Sequence, residues 1–430
     1  MSKNDNLVPV DAGSFSRRQF LRNTSITAGS AVAAIQFPSV LKGLAQDNNL
    51  PIKVGVIACG GRGAGAGQQA EKAAPNVQVV ALADIFPEKV NSVKKYFPNA
   101  QHFFGGFDAY KKVLEIPEIN YVILATPPGF RPIHFAAAVE AGKNIFTEKP
   151  VGVDSPGIRA FMVAGEKAKQ KKLFVAAGTQ RRHQASYVEA MQKIHEGIIG
   201  EIVYMRCYWN QGAIWHRGDS GENDMEKQLR NWYHYTWLCG DHVVEQHVHN
   251  IDICNWAMKG HPIRAVSGLG GRQALGNVSG QIFDHFAVEY EYGNGARMFS
   301  QCRQITGCDQ AVDEHIHGTE GYAYLNNNRP IRIKRKDGKE WQPSAKGIDP
   351  YVQEHADLIN AIRSGNYMNE AQTVAESTFT AIMGREATYS GKMQDWDALL
   401  KCEKSIVPQT LDWGPAPKVE VAMPGKHNPC

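Results

Sequence analysis

The segment Ile52–Gly63, IKVGVIACGGRG, constrains the fold of this chain more than any other stretch. A short apolar run that includes Val54 and Val56 enters a cluster of glycines, and a segment compatible with a helix follows. This order predicts the strand, tight turn and helix of a βαβ unit. In such a unit, glycines let the backbone approach a pyrophosphate, and the helix N-terminus presents free N–H groups to it. The segment therefore predicts a dinucleotide site.

The dinucleotide fingerprint G-x-G-x-x-G falls on Ala58, Gly60 and Gly63, so that alanine replaces its first glycine. A second apolar run ends in Asp84, whose carboxylate is placed to accept hydrogen bonds from both ribose hydroxyls of NAD and to repel the 2′-phosphate of NADP. The expected cofactor is therefore NAD, with NADP less favoured. The residues of the turn and strand end expected to bind it are Ala58, Gly60, Gly61, Arg62, Gly63 and Asp84. Arg62 either lies near the cofactor phosphates or adenine, or is an ordinary solvated arginine.

Length and charge set limits on the class of protein. The 430 residues are enough for two or three domains with cores of their own. The formal net charge is only +4, and residues 1–45 carry five basic and two acidic residues, so most of that charge lies there. The nearly neutral remainder argues against a nucleic-acid partner.

The eight cysteines show no CxxC pairs and no spacing typical of a disulfide-rich scaffold. One disulfide is compatible with an exported protein, but the sequence does not predict which cysteines form it.

Residues 1–45 have the character of a targeting segment. The sequence SRRQFLR, residues 16–22, resembles the twin-arginine export consensus, and the apolar stretch 26–37 that follows is too short for a membrane span. Gly43-Leu44-Ala45 offers a small-x-small cleavage site before Gln46. The prediction is an exported, periplasmic mature chain without a membrane span; a chance Arg-Arg in a tail is the alternative. Because this route carries folded proteins, an exported dinucleotide protein should hold its cofactor tightly.

Strand and helix patterns divide the rest of the chain into two parts. They alternate from Ile52 to Gly178, which predicts a doubly wound parallel sheet, and strand-like runs of period two dominate from Gly200, which predicts a largely antiparallel sheet. One long helix is expected over Asp241–Met258. The predicted strands are 52–58, 77–83, 121–126, 144–147 and 173–177, then 201–209, 263–272, 281–291, 296–304 and 312–317. The predicted domains are 46–185 for nucleotide binding and 186–400 for substrate binding and oligomerisation, with a signal segment at 1–45 and a tail at 401–430.

The sequence TEKP, ending at Pro150, directly follows a predicted strand of the first domain. Pro150 restricts Lys149 to extended geometry, so that Lys149 is expected to point into the crevice at the carboxyl edge of the sheet. Thr126, Pro127 and Glu148 follow strands at the same edge and are expected to contact the cofactor with Lys149. A lysine there can hydrogen-bond a substrate hydroxyl and stabilise a developing alkoxide. The alternative is a surface Lys–Glu pair.

A histidine-rich segment forms the start of the predicted long helix. Helical spacing puts Asp241, Glu245, His249 and Asp252 on one face. An imidazole takes up a proton at a pH of about 6.5, and a carboxylate one turn away can orient it or share a substrate hydroxyl. Lys149, Glu245 and His249 are therefore candidates for binding a substrate hydroxyl and moving its proton.

Two other interpretations of this histidine-rich segment remain open. A zinc site is conceivable from its acidic and imidazole side chains, namely His242, Glu245, His247 and His249. However, the HExxH pattern is absent and two of these histidines are seven positions apart, so no metal is expected. The other interpretation is that the histidines are satisfied within the core.

The glycine-rich turn, the E-K-P motif and the pattern Glu245-x3-His249-x2-Asp252 occur in this order. Together they resemble the glucose–fructose oxidoreductase/inositol dehydrogenase (Gfo/Idh/MocA) family over residues 50–400. The resemblance implies a Rossmann domain followed by an α/β domain with an open-faced sheet, which commonly mediates dimers or tetramers. It also implies that Lys149 is the family's catalytic lysine and His249 its general acid/base. Glu245 stands where many members have an aspartate that contacts a substrate hydroxyl.

The segment 208–237 is rich in Trp, Tyr, His and Arg and has no clear periodicity. Aromatic faces stack on sugar C–H surfaces, so we expect a substrate-specificity loop; an interface loop against a neighbouring subunit is the alternative. The residues expected to bind substrate are Arg181, Trp215, His216, Arg230, Asn231, Trp232 and His249.

The function expected from these features is NAD-dependent oxidation or reduction of a hydroxyl of a sugar, cyclitol or glycoside, by an exported homodimer or homotetramer. The alternative closest to it is an NAD-dependent glycoside hydrolase that uses transient oxidation and elimination. A zinc hydrolase and a non-catalytic sugar-binding protein are the alternatives from other classes.

Overall fold

The computed structural model describes residues 50–326 and 328–430. The twin-arginine motif and the predicted signal segment therefore lie outside the described residues. The described chain contains a six-stranded and a nine-stranded sheet. None of the helices in this part combines the length and the apolar character that a membrane span needs.

The first sheet is parallel throughout and has the strand order β3-β2-β1-β4-β5-β6. Its strands are β1 (Ile52–Ile57), β2 (Val77–Asp84), β3 (His102–Gly105), β4 (Tyr121–Leu124), β5 (Asn144–Thr147) and β6 (Val175–Ala177). Its helices are α1 (Gly61–Ala73), α2 (Pro87–Val93), α3 (Ala109–Leu114), α4 (Arg131–Glu140) and α5 (Ser155–Gln170). The winding reverses between β1 and β4, which is where such sheets bind ligands. The predicted Rossmann-type fold is confirmed.

Helix α5 shows how local sequence fixes these elements. Asp154 caps it by accepting a hydrogen bond from the backbone N–H of Gly157 (2.8 Å), and a proline lies in its first turn. Ile158 and Phe161 follow at a spacing of three and are fully buried, and the Phe161 ring stacks on Phe135 of α4 (4.0 Å between centroids). The helix therefore covers one face of the sheet with a single apolar stripe.

The second sheet has the order β14-β13-β12-β11-β7-β10-β9-β8-β15, and only its β7–β10 pair is parallel. Its strands are β7 (Ile202–Gln211), β8 (Arg264–Gly271), β9 (His285–Glu291), β10 (Arg297–Gln304), β11 (Ala311–Gly318), β12 (Gly321–Asn326), β13 (Arg332–Arg335), β14 (Glu340–Trp341) and β15 (Gln394–Asp395). Met298 and Cys302 of β10 are buried, whereas Phe299 between them is 41% exposed. The predicted largely antiparallel sheet with one covered face is therefore confirmed.

The later helices pack on both sheets. They are α6 (Ala185–His195), α7 (Asp224–Arg230), α8 (Thr236–Cys239), α9 (His242–Glu245), α10 (Val248–Met258), α11 (Pro350–Ser364), α12 (Ala371–Ser390) and α13 (Trp396–Leu400). Leu358 and Ile359 of α11 share a core cluster with Val54 and Val56 of β1, so the chain returns to the first sheet before its last strand, β15, joins the second. The predicted domain boundaries do not include this return and stay a prediction.

The single helix predicted over Asp241–Met258 is wrong, because α9 ends at Glu245 and α10 begins at Val248. At the break, the N–H of His249 bonds to the carbonyl of Gln246 (3.3 Å). The carbonyl of Glu245 accepts a hydrogen bond from Lys149 Nζ instead. The four polar residues that a continuous helix would align therefore do not share one face.

Candidate functional site

A cavity of about 720 Å³ lies at the carboxyl ends of the parallel strands, with residues of the second half of the chain on its other wall. This volume is typical of small-molecule and cofactor sites. All ten residues predicted to bind the cofactor line it: Ala58, Gly60, Gly61, Arg62, Gly63, Asp84, Thr126, Pro127, Glu148 and Lys149. Glu245 and His249 line it too. The structure therefore brings the predicted cofactor and catalytic residues into one cavity.

The glycine-rich turn has the shape that a pyrophosphate requires. A Cβ atom added at Gly63 would overlap the carbonyl oxygen of Ala58, whereas one added at Gly60 or Gly61 would meet nothing within 4 Å. Ala58 itself has a φ of 84°, in the region that favours glycine. The first turn of α1 has neither a side-chain cap nor an acidic residue. Its N–H groups and an open glycine cradle therefore fit the phosphates of a dinucleotide.

Asp84 is held at the end of β2 by two backbone groups. Its Oδ2 accepts a hydrogen bond from the N–H of Cys59 (2.7 Å) and its Oδ1 one from the N–H of Phe86 (2.9 Å). Burial raises the pKa of Asp84, and these two hydrogen bonds oppose the rise. The carboxylate is thus fixed at the cavity wall, and a carboxylate oxygen with one bond made can accept another. Its role toward a ribose stays a prediction.

Arg62 is tied to two buried carboxylates, of which Glu148 lines the cavity. Its Nε pairs with Glu148, its Nη2 with Glu354 Oε1 (3.1 Å), and its Nη1 donates to Gln69 Oε1 (2.7 Å). The side chain of Arg62 is 33% exposed, so it is not an ordinary solvated arginine. Glu148 in turn lies against Gly178, where any Cβ atom would overlap its carboxylate. This network fixes the residue that precedes Lys149.

Lys149 and Glu245 form an ion pair inside the cavity. The Nζ of Lys149 lies 3.1 Å from Glu245 Oε1, and the two side chains are 9% and 10% exposed. Burial raises the pKa of Glu245, and the ammonium group of Lys149 opposes the rise. Nζ also donates a hydrogen bond to the backbone carbonyl of Glu245, at the break between α9 and α10. Lys149 is therefore anchored by both the backbone and the side chain of Glu245.

His249 lies in the first turn of α10 and is 7% exposed. Its ring stacks on the indole of Trp209, with 5.5 Å between centroids and 23° between planes. Burial, followed by the positive charges of Lys149 and Arg181, holds the pKa of His249 well below its usual 6.5. The imidazole is therefore neutral at neutral pH, as a proton acceptor must be.

Four of the seven residues predicted to bind substrate line the cavity: Trp215, Arg230, Trp232 and His249. The rings of Trp215 and Trp232 meet edge to face at 6.1 Å, and Trp215 is 39% exposed. Arg230 lies toward the cofactor residues, because its guanidinium sits 4.2 Å over the ring of Phe86, two positions after Asp84. Its position is therefore closer to the expected nucleotide than to a substrate.

The other three lie outside the cavity lining. The guanidinium of Arg181 is buried and pairs with Glu314 Oε1 (2.7 Å). The side chain of Asn231 is fully buried and bonds to the backbone of Arg217 and Gly218. His216 bonds to Ser279 Oγ (3.0 Å). In this structure these side chains stabilise the loop and sheet behind the cavity, and contact with substrate stays a prediction for them.

The remaining polar residues of the histidine-rich segment are separated from one another. Asp241 accepts hydrogen bonds from Tyr389 and from the N–H of Phe283, and Asp252 pairs with Arg182 (2.8 Å). Within residues 50–326 and 328–430, no group of three or more His, Cys, Asp or Glu side chains could hold a metal ion. The side chains considered for zinc have other partners: His242 contacts Tyr233, His247 contacts Ser300, Glu245 pairs with Lys149 and His249 stacks on Trp209.

Sequence reasoning missed several cavity residues. Phe86 and Phe107 follow the ends of β2 and β3, and Trp209, which falls in the predicted specificity loop 208–237 but was not singled out, lies near the end of β7. Their position just beyond or near strand ends is a signal that could have identified them. Tyr351, which lies under the Arg62 guanidinium (5.0 Å), enters from α11 and has no such signal.

Two profiles of one protein family match the chain. The profile described as "Oxidoreductase family, NAD-binding Rossmann fold" matches residues 52–177, and the one described as "GFO/IDH/MocA C-terminal domain" matches residues 187–324. The chain therefore belongs to the GFO/IDH/MocA family of oxidoreductases, with an NAD-binding fold in its first half. The family resemblance found in the sequence is confirmed.

Curated relatives match parts of the chain. An inositol 2-dehydrogenase of Ralstonia nicotianae is 28% identical over 206 residues, which cover 46% of this chain and 58% of that protein. A scyllo-inositol 2-dehydrogenase (NAD(+)) of Bacillus subtilis is 26% identical, with 52% of this chain and 59% of that protein covered. A glycosyl hydrolase family 109 protein of Porphyromonas gingivalis is 26% identical, with coverages of 39% and 40%. The chain thus aligns with little more than half the length of these dehydrogenases.

Solved structures share the fold across most of the chain. A levoglucosan dehydrogenase in complex with NADH and L-sorbose has a TM-score of 0.67 and 18% identity, covering 80% of this chain and 98% of its own. A myo-inositol 2-dehydrogenase from Lactobacillus plantarum has a TM-score of 0.62 and 21% identity, with coverages of 80% and 99%. The two-sheet architecture is therefore that of known dehydrogenases.

Proposed function

We propose that this protein is an NAD-dependent oxidoreductase that acts on a hydroxyl group of a sugar, cyclitol or glycoside and holds its nicotinamide cofactor through turnover. The observation that carries the proposal is the convergence of Lys149, Glu245 and His249 in the cavity that the glycine turn and Asp84 also line. The substrate class is supported by the inositol dehydrogenases among the relatives. The exposed ring of Trp215 at the wall suits a sugar face.

The chain's own residues supply the proton chemistry. A nicotinamide held by the residues of the glycine-rich turn and Asp84 would supply the hydride acceptor for the carbon that bears the hydroxyl. A ring nitrogen of His249, neutral because the site is buried, accepts the hydroxyl proton. Lys149 Nζ donates a hydrogen bond to the substrate oxygen and stabilises its developing negative charge. Glu245 holds Nζ in place and presents its carboxylate to a second hydroxyl.

A second candidate function uses the same residues. The likeness to glycosyl hydrolase family 109 proteins favours a glycosidase in which transient oxidation of a sugar hydroxyl makes the neighbouring C–H acidic. A base then removes that proton, the leaving group departs, water adds in its place, and return of the hydride to the oxidised carbon restores the hydroxyl, so that the cofactor is not consumed. A buried neutral imidazole such as His249 suits this proton transfer as well.

We also propose that the protein is exported and forms homo-oligomers. The disulfide between Cys402 and Cys430 supports export, together with the twin-arginine sequence, because disulfides persist in oxidising compartments. The uncovered face of the nine-stranded sheet carries Phe299 (41% exposed) and Leu269 (75% exposed). These apolar side chains suit contact with a second copy of the chain.

One experiment tests the activity and separates the two candidates. The purified protein is denatured, the released nucleotide is identified, and the native protein is assayed by NADH fluorescence and product analysis on free sugars, cyclitols and aryl glycosides. The proposal expects NAD or NADH in the released fraction and redox turnover of a free polyol or sugar. Cleavage of aryl glycosides at constant total NADH favours the glycosidase. Absence of nucleotide binding contradicts both.

Asp84→Ala is expected to relax discrimination against NADP, because it removes the carboxylate that would repel a 2′-phosphate. We expect the ratio of Kd for NADP to Kd for NAD to fall by about tenfold or more, equivalent to about 1.4 kcal/mol. Equilibrium titration of the nucleotide-free protein with each cofactor gives this ratio. A wild-type protein that already prefers NADP would show that the role assigned to Asp84 is wrong.

The pH dependence of the reaction should reflect the low pKa of His249. Because burial keeps the imidazole neutral, kcat/KM for alcohol oxidation should not fall on the acid side until the pH is below 6.5, the usual value for histidine. His249→Gln should lower kcat/KM and remove this titration. An acid limb centred at or above 6.5 that disappears in the variant would contradict the neutral-base assignment.

A further inference from the structure

The C-terminal segment 403–417 lies against the nucleotide half of the protein and is anchored at several points. Cys402 is joined by a disulfide to Cys430, the last residue. Ile406 donates its N–H to Asp154 Oδ2 (2.9 Å), at the start of α5. The carbonyl of Pro417 accepts a hydrogen bond from Gln228 Nε2 (2.9 Å), in α7. The segment thus runs from the first half of the protein to the second.

Between these anchors the segment packs behind the cavity wall next to Asp84. The ring of Trp413 meets Phe107 edge-on at 5.0 Å and Phe86 at 5.9 Å, and both phenylalanines line the cavity. Ile406, Val407, Leu411 and Ala416 pack on the same apolar cluster. The wall at this end therefore has two layers, and the outer layer comes from the C-terminal segment.

Arg230 fixes the same wall from the side of α7. Its guanidinium lies 4.2 Å over the ring of Phe86 and pairs with Glu88 in α2 (2.9 Å). A second carboxylate, Glu226, holds it one helical turn away (2.7 Å). Phe86 is therefore held between a cation of the second half of the chain and an indole of the C-terminal segment.

We propose that segment 403–417 and Arg230 form a clasp that holds the wall of the adenosine end of the cleft and slows release of the dinucleotide. The inference rests on the proposed function, and it explains how the cofactor stays bound through turnover. Phe86 follows β2, which ends at Asp84, and Phe107 follows the neighbouring strand β3. The ribose of the dinucleotide is expected beside Asp84. Outward movement of this wall requires Trp413 and Arg230 to give up their contacts, so release of the nucleotide is coupled to opening of the clasp.

The test is the rate at which NADH leaves the preloaded protein, followed by the loss of NADH fluorescence after a chase with excess NAD. Trp413→Ala and Arg230→Ala should each speed release by about tenfold, the factor expected when one contact of the size of an aromatic pair is lost. Trp413→Phe should restore much of the slow rate. Cys430→Ser removes the disulfide to Cys402 and should speed release without changing a buried side chain at position 430. Tyr96→Ala, at an exposed aromatic that does not line the cavity, is the matched control and should release NADH as the wild type does.

The outcomes separate the clasp from the proposed function. Release rates equal to that of the wild type in Trp413→Ala, Arg230→Ala and Cys430→Ser, with NADH still bound, would overturn the clasp and leave the oxidoreductase proposal intact. A wild-type protein that binds no NADH would overturn both. Faster release in the clasp variants, with melting temperatures within a few degrees of the wild type and the control unchanged, would support the clasp.

Discussion

Lys149→Met is expected to lower kcat by about 10²–10⁴-fold while the protein still binds NAD, because the variant removes the hydrogen-bond donor for the substrate oxygen. The methionine keeps most of the aliphatic stem, so the cavity wall is largely preserved. The lost contacts are those of Nζ with the carboxylate (3.1 Å) and carbonyl of Glu245. Steady-state kinetics measures kcat on whichever of the free sugars, cyclitols or aryl glycosides proves to be the substrate. Titration with NAD in parallel measures cofactor binding.

The partner of Lys149 supplies the control for this prediction. Without the ammonium group, the buried carboxylate of Glu245 loses its ion-pair partner, and the effect of this unpaired charge on the site has to be separated from a catalytic effect. The double variant Lys149→Met/Glu245→Gln removes that charge. Its kcat should remain as low as that of the single variant. Recovery of activity in the double variant, or unchanged activity in the single one, would remove Lys149 from the catalytic residues.

Gly63→Ala is expected to abolish tight NAD binding, with a rise in Kd of about 10²-fold or more, and to lower the melting temperature. A Cβ atom at this position overlaps the carbonyl oxygen of Ala58, so the turn between β1 and α1 must open. Calorimetric titration with NAD and thermal unfolding of the free protein measure the two effects. A Gly63→Ala protein with unchanged Kd would show that the turn does not bind the cofactor.

Gly60→Ala is the matched counterpart within the same turn. Gly60 has a φ of −70°, which alanine adopts without strain, and an added Cβ meets no protein atom within 4 Å. The melting temperature of the free protein should therefore be unchanged. The Kd for NAD should nevertheless rise by about tenfold or more, because the methyl group occupies the space through which a pyrophosphate approaches. Equal affinities of this variant and the wild type would contradict the assigned phosphate position.

The strands of the first sheet that sequence reasoning identified are those that are buried on both faces. β1 and β4 are almost wholly apolar, and such runs are visible in a single sequence. β3 was missed because, as a short edge strand, it alternates between half-buried and exposed residues. Alanine at the first glycine position of the fingerprint did not change the conformation of the turn. Ala58 adopts the positive φ that glycine normally supplies, at a cost of about 1 kcal/mol.

The site was predictable where it depends on residues that directly follow strands. Lys149 and Asp84 follow or end strands of one parallel sheet, so their convergence at one edge follows from topology. Arg181 also follows such a strand, but its guanidinium forms an ion pair with Glu314, 133 positions further on, and does not line the cavity. A pairing across that distance leaves no local trace in the sequence.

The break between α9 and α10 had no signal in the sequence either. Periodicity across 241–258 is compatible with one helix, and the break is stabilised by contacts from elsewhere in the chain. Lys149 binds the open carbonyl of Glu245, and Ser300 of β10 bonds to His247 (2.7 Å) at the break. The C-terminal residues were likewise predicted only as a tail, because the partners of Trp413 lie at the ends of β2 and β3.

The central claim is that the nicotinamide ring lies between Lys149 and His249 in the cavity at the carboxyl ends of the parallel strands. A crystal structure of the protein with NAD and a substrate or polyol tests this most directly. The prediction is a nicotinamide ring between those two side chains, with the substrate carbinol carbon about 3–3.5 Å from its C4 atom. A nicotinamide bound outside this cavity, or a carbinol carbon remote from both Lys149 and His249, would contradict the account.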